Sequence, residues 1–167
     1  QELGASELAF MLHDETNGKS GIGGQVPQID ATRNLALYRS LTNSMSNGLV
    51  ASAHDCSDAG LAAAMTECCF GCDSGAVLEI SSLFNHNKNL DIWGALFGES
   101  LGRILVSVKP QDSQLFEESM INHECNKIGK VTSNDMIIFN NRDKIILSAN
   151  MKELREAWKG TLNGGNN

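Results

Sequence analysis

Apolar residues are spaced along this chain in two ways, and the spacing predicts helices and strands in alternation. Leu3, Leu8, Met11 and Leu12 recur at helical intervals with Ser6 near their start, which predicts a short helix. Residues 31–45 predict a second helix with Leu35, Leu37, Leu41 and Met45 as its apolar positions. Asp30 stands where a helix takes its N-cap, and Asn47-Gly48 where a left-handed residue ends one. Residues 49–53, Leu-Val-Ala-Ser-Ala, predict a short buried strand. Gly60 leads into a helix through Cys69 rich in strong helix formers. A strand is expected at 77–80 and a polar surface loop with His86 at 84–89. Next come a short helix at 90–98 carrying Ile92, Trp93, Leu96 and Phe97, and a strand at 103–108. Asp112 is expected to cap a helix reaching Met120, followed by a strand at 127–131. Residues 136–139 and 144–147 predict a hairpin turning at 140–143, and residues 151–158 a last helix. Residues 13–25, rich in Gly, Asn and Ser, predict a flexible loop, and 160–167 a frayed tail. Helices alternate with strands early and strands cluster late. The fold class is therefore α/β (α+β), a mixed β-sheet flanked by helices, in a single domain over 1–167.

A sudden polar cluster, His54, Asp55, Ser57 and Asp58, separates the strand at 49–53 from the helix that Gly60 opens. A turn between a strand's carboxyl end and a helix is where α/β proteins place ligands. The unpaired N–H groups of a helix's first turn favour anions. Ser57 and Asp58 are equally good N-caps, so helix capping and ligand binding are both open readings. Glu99, Ser100 and Arg103 form a second cluster at a helix-to-strand turn. A carboxylate and a hydroxyl there suit magnesium or a substrate hydroxyl, or else they close a helix beside a surface arginine.

A net charge of −7 over 167 residues argues against nucleic-acid and membrane-surface partners, which need Lys/Arg fields. No apolar run approaches the roughly 20 residues that span a bilayer. The chain opens on Gln1-Glu2 without a signal peptide or initiator Met, and reads as a piece of something longer. Five cysteines, an odd number with no regular framework, suggest reduced thiols and a cytoplasmic setting. Cys69, Cys72, His123 and Cys125 could assemble zinc ligands, but His-x-Cys is a poor second pair, and Cys68 and Cys69 continue an apolar helix. Gly18-Lys19-Ser20 looks like the tail of a phosphate-binding P-loop, yet His13 stands where its first Gly belongs.

Four motifs carry a family resemblance. HDCSDAGLAAAMTE at 54–67 resembles the HDxSDGGLxxALxE segment of formylglycinamide ribonucleotide amidotransferase (phosphoribosylformylglycinamidine synthase). LFGESLGRILVSV at 96–108 is similar to its LFGESxGRxLV. LGASELA at 3–9 is close to LGxSE, and LREAWKGTL at 154–162 to the AWxGxxP close of the small-type synthetase chain. The resemblance is to the carboxy-terminal-type domain shared with aminoimidazole ribonucleotide synthetase, and it implies a mixed sheet with flanking helices.

In that family ATP phosphorylates the amide oxygen of formylglycinamide ribonucleotide, and ammonia from a glutaminase then displaces phosphate. The resemblance thus implies ATP or ADP and magnesium as cofactors of a full enzyme. Upstream domains of its own chain, a glutaminase subunit and a small accessory subunit are the implied partners. His54, Asp55, Ser57, Asp58, Gly60, Glu99 and Ser100 would face nucleotide or substrate, with Asp58 a candidate magnesium ligand. Ser57-Asp58-Ala59 and Gly102-Arg103 look like the second, auxiliary half of that enzyme, whose nucleotide site is mainly structural. The family builds its active site between two kinds of domain, so no catalytic residue is expected in this one alone. Ala59 replaces a usual Gly and Leu101 a common Gln, which puts tight nucleotide binding in doubt. Selenophosphate synthetase, thiamine-monophosphate kinase and a hydrogenase maturation factor share the domain type without both central motifs. A non-catalytic interaction module is the remaining alternative.

Overall fold

The computed structural model describes residues 3, 4, 6–12, 28–71, 74–85 and 89–160. The expected loop at 13–25, His86, Cys72 and the tail beyond Gly160 lie outside the described residues. Six α-helices and six strands are described: α1 Glu7–Met11, α2 Ala31–Ser46, β1 Ser52–Asp55, α3 Gly60–Phe70, β2 Gly75–Glu79 and α4 Ile92–Phe97. After these come β3 Ile104–Ser107, α5 Ser113–Ser119, β4 Gly129–Thr132, β5 Met136–Asn141, β6 Lys144–Asn150 and α6 Met151–Gly160. The fold is a mixed α+β one. It divides into two compact units, residues 1–64 with 91–126, and residues 65–90 with 127–167.

In the first unit β1 and β3 form a two-stranded antiparallel sheet, Ser52 opposite Ser107 and Asp55 opposite Ile104. The core here is Leu41, Phe116 and Met120, with Leu37, Leu49, Val50, Ile104, Val106 and Val108 packed on it. Asp30 caps α2 by accepting from the Arg33 N–H, and Gly48 takes the left-handed conformation (φ +72°) after its end. The buried face of α2 runs through Leu37, Leu41 and Ser44, positions one and two turns apart. Leu35 and Met45, expected inward, are exposed. Ser44 can be buried because its hydroxyl donates to the Ser40 carbonyl at 3.0 Å and meets Ser119 Oγ at 2.8 Å. Asp112 precedes α5 without capping it by its side chain. A 3-10 turn at Pro110–Asp112 already holds Asp112 in helical conformation, so the backbone runs straight on.

In the second unit the sheet order is β4-β2-β5-β6. β2 and β5 are parallel and the outer pairings antiparallel, which makes this sheet mixed. Ala76, Leu78, Ile137 and Phe139 are buried at alternate positions and line one face. The second half of α3 buries Met65 and Cys69. α6 places Trp158 against Phe70 with ring centroids 5.3 Å apart, and Arg155 over the same ring donates Nη2–H to the Phe70 carbonyl at 3.3 Å. The tryptophan of the AWKG motif is thus a packing residue.

β5 and β6 run longer than their apolar cores predict, leaving Arg142 and Asp143 as a two-residue turn. Both have positive φ, 50° and 64°, the twist that joins antiparallel strands most directly. A side chain in that region is strained and Gly is not, so Asp143→Gly is expected to stabilise the chain by about 0.5–1 kcal/mol. Chemical denaturation read against the unaltered chain checks this.

Candidate functional site

The polar cluster is built by one strand, one turn and the end of one helix, all within the first unit. The strand lies further along than the apolar run suggested. Leu49 and Val50 pack on the helical core instead of pairing, while Ser52, Ala53, His54 and Asp55 pair with β3. β1 is also not a buried strand, since only His54 in it is even half-covered. His54 and Asp55 therefore belong to the strand and not to the turn. Their side chains are 33% and 72% exposed, and neither is enclosed in a hydrophobic centre.

His54 Nδ1 lies 2.7 Å from its neighbour's carbonyl, the Asp55 O, and 4.0 Å from Asp55 Oδ1. Ser57 Oγ donates to Asp55 Oδ2 at 2.5 Å. That hydroxyl, helped by a backbone bond and by His54, holds the Asp55 carboxyl below its ordinary range. Ser57 and Asp58 are exposed. These four side chains form the open part of the site.

The rest of the turn faces inward. Ala59 and Gly60 both take positive φ, 53° and 67°. At Gly60 an added Cβ would stand 2.8 Å from the Gly98 carbonyl oxygen, 2.8 Å from Phe97 C and 2.9 Å from the Leu96 oxygen. Only glycine allows this turn to lie so close to the carboxyl end of α4. Gly60 is accordingly buried. Glu99, next in the chain after Gly98, engages the same turn, its Oε1 accepting the Ala59 N–H at 2.9 Å. The same oxygen accepts the Glu7 N–H of α1 at 2.9 Å. The carboxylate offered to magnesium by its sequence position is thus engaged by two backbone amides of its own chain. Ser100 is half-buried beside it.

Arg103 is not the surface arginine its sequence position suggested. Its Nη1–H donates to the Gly98 carbonyl at 2.7 Å and its Nη2–H to the Ala95 carbonyl at 2.7 Å. These are carbonyls at the end of α4 with no helical partner, and a cation suits that end of a helix. Burial pulls the guanidinium below its ordinary value, partly offset by Cys56 and Glu124, without neutralising it. The available signal was an Arg just past a predicted helix end. Nothing in the sequence pointed to the Glu7 amide.

Among the described residues no group of three or more His, Cys, Asp and Glu is placed to hold a metal ion. His123 Nε2 lies 2.8 Å from Ser40 Oγ, Cys69 is buried within α3, and Cys125 is largely at the surface, its thiol pushed up by the covered part of its surroundings and by the Glu117 carboxylate. No described helix is long and apolar enough to cross a membrane.

The AIR synthase related protein C-terminal domain family matches residues 2–139. This chain belongs to that family. Solved structures with the same fold include Thermotoga maritima PurL complexed with FGAR, at TM-score 0.74 and 18% identity over 83% of this chain and 23% of that one. Phosphoribosylformylglycinamidine synthase II from the same organism aligns at TM-score 0.70 and 19% identity, over 77% of this chain and 22% of that one. PurLQS from T. maritima aligns at TM-score 0.68 and 20% identity, with the same coverage of 77% and 22%. This AIR synthase-related domain spans less than a quarter of the chains it aligns with.

Two outcomes follow from the turn's geometry. Ala59→Gly relieves a left-handed alanine and should stabilise the domain by about 0.5–1 kcal/mol, whereas Gly60→Ala should destabilise it by about 3 kcal/mol. Thermal unfolding of the two variants should shift in opposite directions. The depressed Asp55 carboxyl contributes stability that is present above the ordinary carboxylate range and is lost as pH falls through the folded-state value. Ser57→Ala removes the main cause, so an NMR titration of the Asp55 carboxyl carbon should move back up towards the ordinary range.

Proposed function

We propose that this chain is the carboxy-terminal-type domain of an ATP-dependent ligase that converts formylglycinamide ribonucleotide to its amidine in purine biosynthesis. It would supply the second-half, auxiliary nucleotide site. The observation that carries the reading is the open polar turn, His54, Asp55, Ser57 and Asp58, set on a backbone that is held from behind. Support also comes from family membership and from neighbours of the same fold described as complexes with ATP and ADP. The joint presence of this turn and of Glu99-Ser100 favours the ligase over a selenophosphate synthetase or thiamine-monophosphate kinase type.

The residues present fit a magnesium–nucleotide group. Magnesium is usually bound through one or two carboxylates together with phosphate oxygens, and Asp55 at the end of β1 and Asp58 in the turn are both exposed carboxylates. When bound, the ion would neutralise phosphate charge. Ser57 donates to Asp55 Oδ2, which holds that carboxyl below its ordinary range and fixes its orientation. Gly60 and Glu99 do not reach outward; they position the turn. Catalysis needs the other kind of domain, so the chain by itself should make no amidine product. The partners of the assembled enzyme would be upstream domains, a glutaminase subunit and a small accessory subunit, in the cytoplasm.

MgADP added to the 15N-labelled chain is expected to shift the amides of His54, Asp55, Ser57 and Asp58, and ADP with a chelator to leave them in place. No magnesium-dependent shift at these residues with millimolar ADP would overturn the reading. In the structure α3 starts at Gly60, so Ala59 and not Asp58 stands at its N-cap position, and Asp58→Asn keeps the side chain's size and hydrogen-bonding capacity while removing a charge. An unchanged magnesium dependence in that variant removes Asp58 from the metal site and defeats the reading of it as a magnesium ligand.

A further inference from the structure

We infer that Glu99 is a positioning residue that couples the amino end of α1 to the nucleotide-facing turn through one shared carboxylate oxygen. Oε1 accepts the Glu7 N–H and the Ala59 N–H, each at 2.9 Å. The two amides lie far apart in sequence, and among the described residues no backbone hydrogen bond joins the elements that carry them. Glu7 is the first residue of α1, so its N–H has no partner within the helix. Ala59 stands in the left-handed conformation immediately before α3. Moving the carboxylate disturbs both contacts together. Glu99 itself is set by its surroundings, because it follows Gly98, whose carbonyl Arg103 grips and whose backbone crowds Gly60.

A shared acceptor makes the order of α1 and the order of the turn mutually dependent. Whatever steadies the turn must steady the Glu7 amide, and the reverse holds by linkage. Together with the proposed nucleotide site, on which this consequence rests, it gives a way for occupancy of His54–Asp58 to be felt at α1.

Amide hydrogen exchange of the 15N-labelled chain tests the coupling. In Glu99→Ala the Glu7 and Ala59 amides should both exchange faster, each by roughly tenfold, the loss of one charge-assisted hydrogen bond. Glu99→Gln retains an oxygen acceptor and should restore protection at both. Glu99→Asp, withdrawn by one methylene and less disruptive than alanine, should release at least one amide without unfolding the chain. Acceleration at only one of the two amides in Glu99→Ala, or no rescue by glutamine, overturns the proposal. With MgADP present, protection should rise at both amides in the unaltered chain but no longer reach Glu7 in Glu99→Ala. An equal rise at Glu7 in that variant also overturns it. Paired acceleration with no MgADP effect anywhere supports the coupling and overturns the nucleotide reading instead.

Discussion

The site depends on how closely the turn after β1 approaches the carboxyl end of α4. Three backbone atoms of residues 96–98 come within 2.9 Å of the place where a Gly60 side chain would begin. Such an approach fixes the path of the chain within a few tenths of an ångström, because backbone cannot yield as a flexible side chain does. It requires two successive residues of positive φ, Ala59 and Gly60. It also requires that the end of α4 be firm. Arg103 provides that by occupying the Ala95 and Gly98 carbonyls at 2.7 Å each. A helix end left without partners would fray, and the surface on which Gly60 rests would fray with it.

The same arrangement divides the labour among polar groups that look alike in sequence. Acidic residues facing water and acidic residues facing backbone do different things here. Asp55 accepts from Ser57 and stays ionised in solvent, available to a cation. Glu99 spends one oxygen on two backbone amides, which is the role an anion would otherwise play near a helix start. The chain therefore satisfies part of its own affinity for negative charge and leaves the outer part open.

Much of this was legible in the sequence where local chemistry is strong. Asp30 and Gly48 bound α2 as their residue types dictate. The hairpin of β5 and β6 and the last helix, which runs to Gly160, two residues beyond the expected end, follow from alternation and helical spacing. The motif at 54–60 was visible as a unit, but its strand was placed too early. Leu49 and Val50 are attractive as strand residues, and tertiary packing on Leu41, Phe116 and Met120 claimed them instead. Glu99 was left open between facing a ligand and closing a helix, and Arg103 was read as a surface residue. Their true partners are backbone groups distant in sequence, at Glu7 and Ala59 for one and at the end of α4 for the other. Residue type reveals the capacity to hydrogen-bond and not the partner, so side chains that brace backbone are the hardest to read from sequence.

A turn braced in this way should be rigid with no ligand present. Backbone 15N relaxation of residues 54–60 in the nucleotide-free chain measures that directly. Order parameters near ~0.85, like those of regular secondary structure, are what the bracing predicts. Values below ~0.6 across the turn would contradict it, and would mean that the ligand rather than the chain organises the site.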